Sequence, residues 1–548
     1  MRFFHLLPLV AAQLVACGSS DAPAGAEPSP YGGGAGGAPS AGGSAGHAGS
    51  SNPEGGAGGK TPGSGGSSSP TDGGAEASGA GGERDASSAG GASGAPGAGG
   101  SDGEAGPGSG GTASDAGSGG TASDAGGDGG SGVVASCGGE PGDAAPPYCP
   151  RGWVRQFGGP NVDEARGLAI DSAGALYVGG TVGGEDPGGP AIDGGSYDAY
   201  VRKMTPTGGI LWTRQFGSAG DDVVFSVAAD PRGGVAVSGI ATAALPGQTA
   251  AGAWDVFVRL YDADGTELWT RQFGSAGYDF GSVAVDSNGN VIVSGSLEFG
   301  ETAENDGGLG GAFVRKYDPN GTLLWTRRIA GATPDGQQDV VGSASADSAG
   351  NVYFGGATRI GLPGFQNAGG EDAVMRKWDA SGAEQWTVQF GTTLDDRITA
   401  IDAVPGGGVA IAGRTFGALP TQTSSGGADA FVAKYAANGA EIWTRQFGTA
   451  FMDAATSVRV DENGAVLSAG TTTGTLPGAT TAGSADGFVR IYDAAGAPLS
   501  TFQIGTSGIE EEISVASSPD GLFIAGMTNG AFLSSAGDFD AFVARVVP

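Results

Sequence analysis

Acidic side chains recur at one spacing through most of the chain. Each lies five residues after the glycine that closes a repeated phrase of the type Trp-Thr-Arg-Gln-Phe-Gly: Asp163, Asp222, Asp279, Asp396, Asp453 and Glu510. Asp339 fills the same slot in a unit that carries a small insertion. A set of carboxylates could concentrate cations, hold a basic partner, or work in pairs as general acid and base. At the crossings of a repeated fold they could instead accept backbone N–H bonds and fix loops. Because the acids recur in every unit, whereas sites break symmetry, the expected role is structural.

Other chemistry is narrowed by what the composition omits. The two histidines, His5 and His47, precede the repeats. Ser-His-Asp or Cys-His catalysis and histidine-ligated metals are therefore excluded from the repeated region. The glycine-rich stretches lack the lysine-bearing signature of a phosphate-cradling loop. Turns such as DADG at Asp262, DSNG at Asp286, DPNG at Asp318 and DENG at Asp461 lack the remaining oxygens of a calcium loop and read as Asx-type hairpin turns. No catalytic residue, metal or cofactor is assigned, and the expectation is a protein that is not an enzyme. An enzyme acting on polysaccharide through paired carboxylates is the alternative.

The elements that must position these acids repeat with a period of about 57 residues, a length typical of propellers, solenoids or arrays. Each unit offers four short strands. One ends in an acid, as in SVAVD at Ser282. The next alternates, as in VIVSGS at Val291. The third opens as DAFVAKY at Asp429, and the fourth is the phrase itself, WTRQFG at Trp212, Trp269 and Trp443. The first three types each occur seven times after Trp153. The fourth is degenerate in its last copy, STFQIG at Ser500, and a further copy, WVRQFG, stands ahead of all the units at Trp153. That arithmetic predicts an all-β, seven-bladed propeller of four-stranded blades, with the N-terminal strand completing the last blade and removing the open edge. Within the phrase, Trp212, Arg214 and Phe216 share one strand face. Trp and Phe are expected to wedge between blades, with the Arg stem over them and its head in solvent.

These units resemble the bacterial β-propeller repeat family SBBP, whose pattern runs roughly GNVYVxGxT and then DAFVxKxDxxGxxxWTRQFG. Val352–Gly356 and Asp429–Tyr435 with Trp443–Gly448 carry the likeness. The resemblance covers about residues 150–548 and implies the fold, in exported bacterial proteins, without an agreed activity.

The N-terminal region reads differently. Residues 1–16, with one Arg and a short apolar run, read as a secretory signal. Leu14-Val15-Ala16-Cys17 resembles the lipobox of bacterial lipoproteins, which implies cleavage before Cys17 and lipid on it; an ordinary signal peptide is the alternative. Gly18 after the cysteine leans towards the outer membrane or cell surface, with a periplasmic or secreted protein as the other outcome. Residues 17–136 are mostly Gly, Ala and Ser and read as a disordered tether, with a reach on the order of 60 Å. The propeller is placed at 137–548. At its start Cys137 and Cys149 are spaced for a disulfide in an oxidising compartment, closing a loop worth about 3 kcal/mol.

A net charge of −32, from 26 basic and 58 acidic residues, argues against nucleic acid and anionic lipid as partners. Membrane contact is expected only through the lipid, and the chain is expected to be a monomer. The expected partner is an envelope protein or a glycan, and a purely structural surface protein is a further alternative. The connection before the DAFV-type strand is long and differs between units, and loops on a rigid scaffold are where binding concentrates. Trp254, Phe365, Gln366 and Asn367 are therefore the candidate ligand contacts, against the alternative that the loops pack these side chains onto their own blades.

Overall fold

The computed structural model describes residues 152–184, 197–299, 309–329, 340–480, 482–532 and 538–546, together with the strand Ala135–Ser136. The signal, the lipobox Cys17, Cys137, Cys149 and Asp339 lie outside the described residues, as does the tether apart from that strand.

Seven antiparallel sheets carry the fold. In the second blade the strands run Asp222–Ala229, Val235–Ala241, Asp255–Tyr261 and Glu267–Phe273, each paired to the next. We call these positions a to d, from the channel outwards. The a strands of successive blades pack side by side, and that of blade 7 (Glu510–Ser518) packs on that of blade 1 (Glu164–Ile170), so the ring is closed. Strands b and c are buried between neighbouring blades on both faces, which is why they read as near-continuous apolar runs such as VAVSGIA and DVFVRLY. The glycine inside the b-strand motif has a local cause. A Cβ on Gly239 would run into the Val223 carbonyl of the adjoining a strand.

Blade 7 is completed as the repeat count predicts. Its a, b and c strands end the described chain, and its d strand is Trp153–Phe157, paired with Asp540–Val546 from Val154↔Ala544 to Phe157↔Ala541. A two-residue strand, Ala135–Ser136, adds a fifth position outside Trp153–Val154.

The repeated phrase works as a lock between blades. Trp212 of blade 1 donates its Nε1–H to the Ala263 carbonyl in the c–d hairpin of blade 2, at 3.0 Å. Trp153, Trp269, Trp325, Trp386 and Trp443 do the same to Pro206, Pro319, Ala380, Ala437 and Ala494, at 2.9–3.2 Å. The hairpin glycine beneath each indole must be a glycine. Gly265 sits at φ +75°, and a Cβ there would lie 3.0 Å from the Trp212 ring. Arg214 does not reach freely into solvent. Its guanidinium lies 5.3 Å from the Trp212 ring and donates to the Gly265 and Asp264 carbonyls of that same hairpin. Phe216 packs edge-on against Phe257 of the next blade, capped by Arg259 at 4.1 Å.

This lock explains the degenerate copy. Ser500 of blade 6 stands where the other d strands carry Trp, and its partner would be the c–d hairpin of blade 7. Among the described residues blade 7 has no such hairpin, because its c strand ends at Val546 and its d strand is Trp153–Phe157. An indole at 500 would have nothing to clamp.

Candidate functional site

Strand direction sorts the connections onto two rims. The a–b turns and c–d hairpins lie on one rim; the long b–c connections and the d–a crossings lie on the other. The turn rim is uniform. Asp262 Oδ1 accepts the Asp264 and Thr266 N–H groups at 3.0 and 2.8 Å, and Asp286, Asp318 and Asp461 fold their turns in the same way. Asx-type turns account for these acids.

The loop rim carries the ring of acids. Asp222 is fully buried, and its Oδ2 accepts the Ser218 N–H at 2.6 Å and the Ser218 hydroxyl at 2.9 Å. Asp163, Asp279, Asp396, Asp453 and Glu510 are equally sequestered, each accepting the N–H of the residue four positions before it. Each closes its own d–a crossing. A second acid stands beside it: the residue that opens the c strand of the preceding blade. A Cβ on Gly217 would lie 2.6 Å from Asp198 Oδ1 and 2.9 Å from Asp222 Oδ2. The same three-residue arrangement recurs at Asp255, Gly274 and Asp279, at Asp372, Gly391 and Asp396, and at Asp540, Gly158 and Asp163. Burial pushes Asp222 up to about 7 and Asp279 up to about 6, against the N–H bonds that favour their charged forms. Asp396, Asp453 and Glu510 are also raised, by burial.

The glutamine of the repeated phrase holds this arrangement to the loops. Gln272 Nε2 donates to Asp255 at 2.9 Å while its Oε1 accepts the Leu245 N–H at 2.8 Å, at the root of the b–c connection. Gln389, Gln446 and Gln503 pin Leu362, Leu419 and Leu476 in the same manner. The long connections of blades 2, 4, 5 and 6 thus share a fixed root and differ beyond it. Blade 3 is the exception. Gly311 replaces the c-strand acid, and Arg328 replaces the glutamine that would have bonded to it.

Of the residues singled out in these connections, Trp254 is 6 % exposed and packs edge-on against Tyr278 and Phe280 of the next blade. Phe365 is half-buried against the core shared by blades 3 and 4, and Asn367 bonds to the Thr358 and Gly370 carbonyls. Gln366 remains exposed. The structure adds three large side chains on the d–a crossings of the same rim: Tyr278, Leu394 and Phe451, at 49 %, 51 % and 61 % exposure. In the sequence they lie one or two places before the recurring acids, where the repeat otherwise varies freely.

The channel opens between the a strands as a cavity of about 190 Å³ that touches all seven blades. Most a strands carry a bulge, and the extra residues line the cavity: Arg166, Phe225, Thr399 and Thr456, with Glu512 and Ile513 in blade 7. Arg166 is the centre of its charge. It donates to Glu164 at 2.5 Å and to Glu512 at 3.1 Å, with its guanidinium 5.2 Å from the Phe225 ring. Glu512 is held at φ +57°. Burial and the neighbouring Glu512 push Glu511 up. The Ser226, Thr456 and Ser514 hydroxyls donate instead to carbonyls of the following blade. The channel's charge was not singled out by spacing; its one sequence signal is the run Glu510-Glu511-Glu512. Among the described residues, no three His, Cys, Asp or Glu side chains converge to hold a metal.

Over 185 residues the chain is 30 % identical to the regulatory protein FlaEY of Caulobacter vibrioides, covering 31 % of this chain and 19 % of that one. Over 151 residues it is 30 % identical to the uncharacterized WD repeat-containing protein L264 of Acanthamoeba polyphaga mimivirus, covering 23 % and 10 %. The chain therefore spans a fifth or less of the length of these curated relatives. Among solved structures, the β-propeller domain of the Trilobed protease from Pyrococcus furiosus superposes with a TM-score of 0.39 at 7 % identity, covering 70 % of this chain and 96 % of that one. The polysaccharide lyase Uly1 gives 0.40 at 12 %, covering 70 % and 90 %. Residues 152–183 match the β-propeller repeat family SBBP, and the described residues form a ring of seven blades closed by the strand at Trp153.

Proposed function

We propose that this protein is a non-catalytic β-propeller scaffold of the bacterial cell envelope, anchored by lipid on Cys17, which binds an envelope protein or a glycan through its loop rim. One observation supports the reading above the rest: the described repeated polar groups are spent inside the ring, while, outside the channel, the residues that differ between blades gather on that rim. The ring acids accept backbone N–H bonds, the phrase glutamines pin loop roots, and the tryptophans clamp hairpins. What is left over on the loop rim is Gln366, Tyr278, Leu394, Phe451 and the unlike connections. A rigid ring with variable loops is suited to recognition, and a tether reaching on the order of 60 Å would let it search for a partner.

Glu512 at the channel, with Glu164 and Glu511 around Arg166, keeps a second reading in view: carboxylate-dependent cleavage of an envelope or extracellular polysaccharide. There Glu164 and Glu512 are both held by Arg166, whereas a general acid and its partner must be free to exchange protons. Presenting the full chain to separated protein and polysaccharide fractions of a bacterial envelope tests both. Saturable retention without turnover supports the scaffold. Release of new reducing or unsaturated ends, lost in Glu511→Gln, would replace it with the enzyme.

A further inference from the structure

We infer that the seams of the loop rim are clasped by protons: the buried pairs Asp198–Asp222 and Asp255–Asp279 each keep a proton near neutrality, so these seams are tighter at pH 5 than at pH 8. The geometry carries this. Within each pair one acid opens a c strand and the other stands at the start of the next blade's a strand, Asp222 as its first residue and Asp279 just before Phe280, so the pair spans the seam between blades. Asp198, Asp222, Asp255 and Asp279 are all 5 % exposed or less. The contacts at Gly217 and Gly274 place the facing oxygens within about 5.5 Å of each other. None of the four has a basic partner among the described ion pairs. The charged groups that bear on them are acids: Asp221 acts on both Asp198 and Asp222, and the Glu298 carboxylate stands against Gly277, beside Asp279. The remaining contacts are neutral, from Ser218, Ser275, Gln215, Gln272 and the backbone N–H groups of Ala251, Gly252 and Glu298. Two like charges so close and so dry cannot both be ionised cheaply, and a shared proton removes the repulsion.

The sign follows from linkage. An acid whose affinity for the proton is higher folded than unfolded lends stability below the unfolded value. That stability is lost as pH rises through the folded one, near 6 for Asp279 and 7 for Asp222. Residues 152–546 contain no histidine, so protons exchanged between pH 5 and 7 when the ring unfolds come from its carboxyl groups.

The test is proton release on urea unfolding of the full chain in weakly buffered solution with EDTA at pH 5.5, beside urea midpoints from pH 5 to 8. The expected result is release of about two protons per chain and a midpoint that falls from pH 5 to about 7 and levels off towards pH 8. In Asp222→Asn/Asp279→Asn, whose amides mimic the protonated acids, release should drop by at least one proton and the midpoint should flatten against pH. Proton uptake, no release, or a midpoint that rises with pH in the unsubstituted protein would overturn the inference, even if the variant did not fold.

Discussion

Replacing Trp269 with alanine removes one inter-blade lock while leaving the others in place. The indole is 8 % exposed, lies over the turn glycine Gly321, donates to the Pro319 carbonyl at 3.0 Å and carries Arg271 5.6 Å from its ring. Truncating a buried Trp to Ala costs about 3–5 kcal/mol, and the lost hydrogen bond and cation–π contact, about 1 kcal/mol each, fall largely inside that range. We expect a loss of about 4 kcal/mol, which for a ring of this size lowers the melting temperature by about 5 °C. The reverse change, Ser500→Trp, restores the repeat's residue at a seam with no hairpin to receive it, and should change stability by less than about 0.5 kcal/mol. Calorimetry or far-UV circular dichroism reads both without depending on the removed fluorophore. A loss below 1 kcal/mol for Trp269→Ala, or a gain of several kcal/mol for Ser500→Trp, would refute the lock and the explanation of the degenerate copy together.

Deleting Trp153–Gly158 should lower the melting temperature far more than any single lock, since blade 7 then exposes the edge of Asp540–Val546; an unchanged melt would contradict closure by that strand. Gly274→Ala should cost about 1–3 kcal/mol, because its Cβ would press on Asp255 and Asp279 at 2.5 Å each; urea unfolding reads it, and a neutral result would mean the acids are held further apart than described. Arg166→Ala leaves Glu164 and Glu512 facing each other without their cation and should cost about 3–5 kcal/mol near neutral pH, with part of the loss recovered in acid as one carboxylate takes up a proton. Cys17→Ser should move the protein from membrane to soluble fractions if lipid anchors it, as immunoblotting of fractionated cells would show.

The ring was legible because a blade is a local, repeated unit: four strand types, each counted seven times, with the phrase displaced to the front. By itself STFQIG at Ser500 is only a degenerate copy. Only the hairpin that blade 7 lacks gives it a reason, because the partner of each phrase belongs to the next blade and lies about 50 residues away in sequence. The same distance hid the second acid of each pair. Asp222 recurs visibly after the phrase, but its neighbour Asp198 opens a c strand whose Asp-Ala-Tyr-Val motif reads as strand register alone. The change to Gly311 with Arg328 in blade 3 was the available clue that the c-strand acid and the phrase glutamine belong together. In the channel, a bulge adds one residue and turns an unremarked position inward, so Arg166 and Phe225 gave no periodic signal before the register was known. Trp254 illustrates the opposite error of scale: an aromatic in a variable connection invites a ligand, yet here a neighbouring blade receives it.

The claim that recognition belongs to the loop rim is tested most directly by comparing three versions of the full chain on the same separated envelope fractions. One is unaltered, one carries Gln366→Ala, Tyr278→Ser, Leu394→Ser and Phe451→Ser on the loop rim, and one carries Asn320→Ser and Glu462→Ser on the turn rim. Equal melting temperatures establish that all three rings are intact. The account predicts saturable retention by the unaltered and turn-rim proteins and its loss from the loop-rim variant. Retention that survives the loop-rim changes and disappears with those on the turn rim would contradict it.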